Sequence, residues 1–266
     1  MRRFHKMHGL GNDFVIFDAR EEPVEMDSAR ARAIADRKTG VGCDQLIVIE
    51  PSQVADLRMR IFNADGGEVE SCGNASRCVA LLAGGAARIE TAGGIISGSS
   101  DGAGATVDMG EPRFDWDAIP LAYPMDTAAM PVGWEELQGP AAVNVGNPHV
   151  IFFVDDAQGV ELERLGPLIE TDPLFPQKIN VNVASIEGGA VRLRVWERGV
   201  GLTQACGTGA CATAVAAIRR GLVESPVEVR LPGGTLTIAW APGEQIRMSG
   251  PATHVFTGEI DLAALG

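Results

Sequence analysis

Apolar and charged residues alternate through Leu57-Arg58-Met59-Arg60-Ile61-Phe62 and again through Val191-Arg192-Leu193-Arg194-Val195-Trp196, the period-two pattern of half-exposed strands. A polar loop follows each stretch, and then a Cys-Gly pair, Cys72-Gly73 in one case and Cys206-Gly207 in the other. After each pair the pattern predicts a helix: residues 74–83, stopping at Gly84-Gly85, and residues 208–218, stopping at Arg219-Arg220-Gly221. Asn74 and Thr208 suit N-caps, the glycines suit the position past a helix end, and Arg219 and Arg220 suit the negative end of the dipole. The second helix is small and apolar all round (Ala210, Cys211, Ala212, Ala214, Val215, Ala216, Ala217), which predicts burial inside a curved sheet. Residues 89–97 and 227–240, broken by Gly93-Gly94 and Gly233-Gly234, supply further strands and turns. Pro112, Pro120, Pro124 and Pro131 mark an irregular stretch between the two patterns.

The two patterns are copies. Gly11-Asn12-Asp13-Phe14-Val15-Ile16-Phe17 returns as Gly146-Asn147-Pro148-His149-Val150-Ile151-Phe152, an offset of 135 (146 − 11). The alternating strand and the Cys-Gly both return at an offset of 134 (191 − 57 and 206 − 72). A period this long is too large for a solenoid and points to a duplicated domain. The fold expected is α+β, with two pseudo-symmetric lobes, each a curved mixed β-sheet around a central helix, and an active site in the cleft between them. An N-terminal lobe over 1–116, joined again by 253–266, and a C-terminal lobe over 117–252 are the expected boundaries.

Composition narrows the function classes. A hydrophobic fraction of 45% with 21% charged residues is that of a globular chain, and no apolar run reaches the ~18 residues of a membrane span. Met1 is followed by Arg2 and Arg3 and a polar stretch, so no signal peptide is expected and the cytoplasm is the expected compartment. The formal charge of −13, with bases scattered among acids, argues against a nucleic-acid surface. Five cysteines make an odd set, expected as free thiols rather than a disulfide framework. With no Cys-x-x-Cys pair and no histidine at ligand spacing, no metal is expected.

The two Cys-Gly helix starts carry the candidate chemistry. A thiol beside a helix N-terminus feels unpaired N–H groups and the dipole, which favour thiolate and also cradle a carboxylate. Two such thiols converging on one α-carbon would solve the geometry of inversion, one removing the C–H proton from one face and the other protonating the opposite face. Pyridoxal phosphate, the usual alternative, needs a Schiff-base lysine, and none of Lys6, Lys38 and Lys178 stands in a recognisable site. No cofactor is therefore expected. Cys43, Cys78 and Cys211 read as structural.

Several blocks together resemble the diaminopimelate epimerase family along nearly the whole chain: residues 8–14, residues 60–66, Cys72-Gly73-Asn74, Gly146-Asn147-Pro148-His149, and Glu197-Arg198-Gly199 through Gln204-Ala205-Cys206-Gly207-Thr208-Gly209. The resemblance implies interconversion of LL- and meso-2,6-diaminopimelate by a homodimer. It implies Cys72 and Cys206 as the acid/base pair, with Asn12, Gln45 and Glu197 around the substrate and Glu197 suited to the ammonium at the reacting centre. Asn63, Asn147, Asn180 and Arg198 would hold the distal ammonium and carboxylate, and Gly73, Asn74, Gly207 and Thr208 would form the carboxylate cradle. His149 matches a residue that tunes the cysteines, as Glu197 also would. Two departures from the family stand out. Ala75-Ser76 replaces the usual Gly-Ala, predicting a stiffer first cradle, and Phe256 replaces a tyrosine used in dimer contact. The alternatives are a racemase of proline, hydroxyproline or histidine, which would lack the distal clamp, and a redox thiol protein, which would gain nothing from the repeated cradle.

Overall fold

The computed structural model describes residues 1–70, 72–102 and 104–265, which divide into two compact units, Met1–Asp108 with Ser249–Gly266, and Met109–Met248. The divisions fall at 108/109 and 248/249, ahead of the expected 116/117 and 252/253; at the first, the backbone of 109–113 already bonds within the second unit, Met109 N–H donating to Ile246 O and Arg113 N–H to Asn144 O.

The first unit runs β1 (Arg2–Gly9), β2 (Asn12–Asp18), α1 (Ser28–Ala35), β3 (Gln45–Glu50), β4 (Leu57–Asn63), β5 (Glu68–Val69), α2 (Gly73–Ala83), β6 (Ala86–Thr91), β7 (Gly94–Ser100) and β8 (Ala105–Asp108). The second runs β9 (Gly133–Trp134), β10 (Leu137–Gln138), β11 (Ala141–Asn144), β12 (Pro148–Phe153), α3 (Leu162–Glu170), β13 (Asn180–Glu187), β14 (Ala190–Glu197), β15 (Gly201–Thr203), α4 (Gly207–Arg219), β16 (Val227–Leu231) and β17 (Gly234–Ala239), and β18 (Arg247–Gly250) spans the division at 248/249. The last strand, β19 (Thr253–Ile260), pairs antiparallel with β1.

The duplication holds at the level of strand pairing. β2 pairs parallel with β3 as β12 does with β13, and β3 pairs antiparallel with β4 as β13 does with β14. β4 then pairs parallel with β6 through Leu57↔Ile89, and β14 with β16 through Val191↔Val229. The pairing of these strands in each unit is therefore mixed, as expected from the repeat.

β2 and β3 are buried on both faces, which is why their sequences, DFVIF and QLIVI, are nearly continuous apolar runs. Phe14, Ile16, Ile47, Ile49, Met59 and Ile61 pack with Ala75, Cys78 and Val79 of α2. Val15, Phe17, Leu46, Val48 and Phe62 point the other way, onto Ala31, Ile34 and Ala35 of α1. In the second unit Val150, Phe152, Val181 and Val183 pack on Leu162, Leu165 and Ile169 of α3, while α4 touches β11, β12, β13, β14, β16 and β17. Ten of its residues are buried, as the small apolar sequence predicts.

The helix ends differ in detail from expectation. The N-caps are Cys72 and Cys206 themselves, both extended (φ −150° and −117°), so Asn74 and Thr208 lie within the first turn. Gly84 ends α2 at φ +69°, as its lack of Cβ permits. Arg219 and Arg220 do not cap α4 through their side chains: the Arg219 guanidinium lies 4.4 Å over the Phe114 ring, and Arg220 donates to Ala128 O and Gly139 O. The sequence pattern also missed α1 and α3, which are short: α1 starts on Asp27, whose side chain accepts the Arg30 N–H, a start signal that went unread, while α3 has no side-chain cap and contains Pro167.

Candidate active site

Helix geometry leaves the first N–H groups of α2 and α4 without intrahelical acceptors, and in each unit the residue at that point is a cysteine. The chain delivers it there because a strand, a short hairpin and the helix follow one another in both copies: β4, β5 and α2 in the first, and β14, β15 and α4 in the second.

In the first unit Cys72 is half-buried and makes no side-chain cap bond. Its Sγ lies 3.8 Å from Asn12 Oδ1, which also accepts from Asn74 Nδ2 at 3.3 Å. Asn12 opens β2 after a turn with positive φ at Leu10 (+57°) and Gly11 (+88°). Gln45 and Asn63 are register partners on β3 and β4, and Gln45 Nε2 donates to Asn63 Oδ1 at 2.8 Å. Behind the helix start lies Arg77, fully buried, which donates to Asn74 Oδ1 at 2.8 Å and to Pro251 O. Gly73 begins α2. The structure thus gathers Asn12, Cys72 and Asn74 at one point and Gln45 with Asn63 at another, all within the first unit.

In the second unit Cys206 is buried, at 4% exposure. Its Sγ accepts Gly209 N–H at 3.4 Å and lies 3.5 Å from Thr208 Oγ1. Burial, followed by the Glu197 charge, pushes its thiol well above the usual cysteine range, and Glu197 shares a hydrogen bond with it. Glu197 is in turn pushed up by burial, partly offset by Thr203 Oγ1, which donates to its Oε1 at 2.5 Å, and by Cys206. An alanine at 209 would bring Cβ within 2.7 Å of Asn182 Oδ1, so glycine alone fits there without displacement. Gly207 begins α4.

His149 is completely buried between two amides. Asn182 Nδ2 donates to its Nδ1 at 3.1 Å, so the proton of the neutral ring sits on Nε2 and is donated to Asn147 Oδ1 at 2.9 Å. Burial drives its pKa down to about 3 despite the Asn182 bond, with the Arg198 charge adding to the fall. His149 thus bonds Asn147 on one side and Asn182 on the other. Asn180 is spent on the backbone: Nδ2 donates to Pro148 O, and Oδ1 accepts Arg198 N–H, both at 2.9 Å. It thereby sets the course of the Arg198 chain, whose Nη1 donates to Gln177 O at 3.0 Å. Glu170 braces the same turn, accepting from Trp196 Nε1 and from Gly199 N–H.

The sequence reading missed Asp44, Arg77, Glu170, Asn182 and Thr203. Asn182 carried a signal, since Asn180-Val181-Asn182 sets two amides on one face of an otherwise apolar strand. Cys43 and Cys78 are pushed up by burial to about 11 and about 12, as suits structural thiols. Among the described residues no cluster of three or more His, Cys, Asp or Glu could hold a metal ion, and no helix is long and apolar enough to cross a membrane.

Residues 4–115 and 141–255 match the family model described as diaminopimelate epimerase. The chain is 72% identical over 266 residues to a diaminopimelate epimerase of Rhizorhabdus wittichii, an alignment that covers 99% of this chain and 97% of that protein. It is 68% identical over 265 residues to one from Sphingopyxis alaskensis, covering 99% of each. Among solved structures, a phenazine biosynthesis protein of the PhzF family from Enterococcus faecalis matches with a TM-score of 0.72 at 12% identity, over 98% of this chain and 99% of that one, a likeness of fold alone.

Proposed function

This chain belongs to the diaminopimelate epimerase family of isomerases, and from that premise we propose that it interconverts LL- and meso-2,6-diaminopimelate with Cys72 and Cys206 as a two-base pair. The observation that carries the reading is the duplicated helix start, with a cysteine at the N-cap of both α2 and α4.

One thiolate takes the α-proton from one face while the opposite thiol delivers a proton to the other, and the roles exchange with the handedness of the substrate. Gly73, Asn74, Gly207 and Thr208 supply N–H donors at the positive ends of the two helices, where the α-carboxylate gains charge as the proton leaves. Glu197 meets the ammonium at the reacting centre, and that cation offsets the cost of its buried charge. Arg198, held by Asn180, takes the distal carboxylate with its planar fork, and Asn12, Gln45, Asn63 and Asn147 present amides to the polar ends. His149 orients Asn147 and so acts on the site through that amide.

The reaction proceeds without cofactor, in the cytoplasm, where five free thiols are at home. The working form is a homodimer, for which Val255 and Phe256, exposed on β19, offer apolar contact. Phe256 packs edge-on against Phe4 at 6.1 Å, so the missing tyrosine hydroxyl costs the dimer a polar contact and not the position of the ring.

Exchange of the α-hydrogen for deuterium, followed by mass spectrometry without added cofactor, tests the reading. Exchange into diaminopimelate is expected, with none into proline or histidine. Exchange into proline or histidine instead would sink it.

A further inference from the structure

Asn12 and Asn147 hold equivalent places in the two copies, each directly after a glycine with positive φ (Gly11 +88°, Gly146 +104°). Their carboxamides are nevertheless gripped at opposite ends. His149 gives its Nε2–H to the oxygen of Asn147, so the nitrogen is the end that amide has to offer. In the first unit Asp44 Oδ2 stands 3.1 Å from Asn12 Nδ2. A carboxylate only accepts, so the end of Asn12 that faces it must be nitrogen, and the oxygen is the end turned to Cys72 Sγ and Asn74 Nδ2.

We propose that Asp44 is a positioning residue for Cys72: by fixing the Asn12 carboxamide it sets an acceptor against the sulfur, which favours the thiol over the thiolate until substrate arrives. An amide nitrogen in the same place would donate to sulfur and favour the thiolate. The orientation of one side chain, chosen by a residue that touches no reacting atom, therefore sets the resting state of an acid/base group.

Asp44 is braced for this task. Its Oδ1 accepts from Arg37 Nη2 at 2.7 Å, and its Oδ2 also takes Asp13 N–H at 3.0 Å. Its own N–H returns to Asp13 O at 3.0 Å. Arg37 Nη2 grips Asp13 as well, at 2.6 Å, and Lys6 bonds both Asp13 and Gly42 O. Burial pushes the Asp13 carboxyl up, but the Arg37 and Lys6 bonds overcome it and hold it well below the usual carboxylate range. The cluster ties β1, β2 and the residues just before β3 into one frame, so Asp44 cannot turn away without breaking several bonds at once.

The inference rests on the reading of Cys72 as an acid/base thiol, yet its test needs no substrate. Substrate-free enzyme is alkylated with iodoacetamide over a range of pH, the Cys72 and Cys206 peptides are quantified by mass spectrometry, and each rate at neutral pH is divided by its high-pH plateau. Asp44→Asn lets the Asn12 amide turn, and the normalised Cys72 rate is expected to rise about fivefold, the scale of one hydrogen bond gained by a thiolate, with Cys206 unmoved. Asn12→Ala should also raise it, and Asp44→Asn added to Asn12→Ala should change nothing further. An unmoved Cys72 profile in Asp44→Asn, an equal shift at Cys206, or a further rise in the double variant overturns the proposal. Should Asp44→Asn lose cooperative unfolding, Asn12→Ala decides alone, because an unmoved profile there removes the carbonyl from any role. Inactivity of the unmodified enzyme on diaminopimelate would instead fail the proposed function and leave the alkylation result standing.

Discussion

Phe14 and Ile47 in the first unit fill the places that His149 and Asn182 fill in the second, since Phe14↔Gln45 and His149↔Asn180 are equivalent register pairs, as are Ile16↔Ile47 and Ile151↔Asn182. All four side chains are fully buried. The first copy therefore spends the positions on apolar packing against α2, while the second spends them on a hydrogen-bonded histidine and amide beneath the start of α4. The cysteines diverge in the same way. Cys72 is half-buried beside an amide oxygen, and Cys206 is buried beside a carboxylate. Duplication preserved the backbone path that puts a thiol at a helix start and left each copy to give its thiol a different electrostatic setting. Both settings favour the thiol before substrate arrives, but by different means, so the two cysteines should answer differently to a probe of thiolate.

The largest effect expected is on the reaction itself. Cys72→Ala and Cys206→Ala should each lower epimerisation by about 10² or more, the scale of a positioned acid or base. Elimination from a substrate with a β-leaving group needs abstraction alone, so each variant should keep it for one stereoisomer and lose it for the other. Equal elimination from both isomers by both variants would mean that one base serves both faces.

Next in size is thiol reactivity. Thiolate is the nucleophile, and Cys206 is both buried and pushed up by burial and Glu197, so at about pH 8 Cys72 should alkylate ~10-fold faster or more in substrate-free enzyme. Peptide mapping after brief iodoacetamide treatment checks this, and comparable rates would erase the contrast.

The buried histidine makes the second unit sensitive to acid. Its folded pKa of about 3 lies below the usual histidine value of 6.5, so the unfolded chain binds the proton more readily. Its contribution is complete above the unfolded value and is lost as pH falls from 6.5 towards 3, at up to about 1.4 kcal/mol per pH unit. His149→Gln keeps an acceptor for Asn182 and a donor for Asn147 without titrating. Urea unfolding at stepped pH should give a flatter dependence for that variant, and identical slopes would assign the acid sensitivity to other groups.

The smallest effect concerns the cradles. Gly209 meets Asn182 closely, whereas the equivalent Ala75 is accommodated in the apolar core of the first unit. Gly209→Ala should therefore cost about 1–3 kcal/mol of stability. Ala75→Gly should cost about 1 kcal/mol, through the flexibility of glycine in a helix. Thermal unfolding distinguishes the two, and a benign Gly209→Ala would show that Asn182 yields.

The duplication, the strands at 57–62 and 191–196, the helix after each Cys-Gly and the buried character of α4 were all legible in the chain, because periodicity, small residues and glycine stops act over a few neighbouring positions. The same local signals named Cys72 and Cys206 and, through family resemblance, most of the residues around them. What the tertiary structure alone decided is which partner each polar group has. Asp44 turns the Asn12 amide, Asn182 fixes the tautomer of His149, Thr203 satisfies Glu197, and Asn180 is spent on the backbone of Arg198. The pairings of Asp44 with Asn12 and Asn182 with His149 join residues 32 and 33 apart in sequence. These two long-range bonds depend on strand register and on the path of the chain into each sheet. Neither leaves a local periodicity, so the sequence names the cysteines and part of their surroundings, misses Asp44, Asn182 and Thr203, and leaves the assignment of protons to the fold.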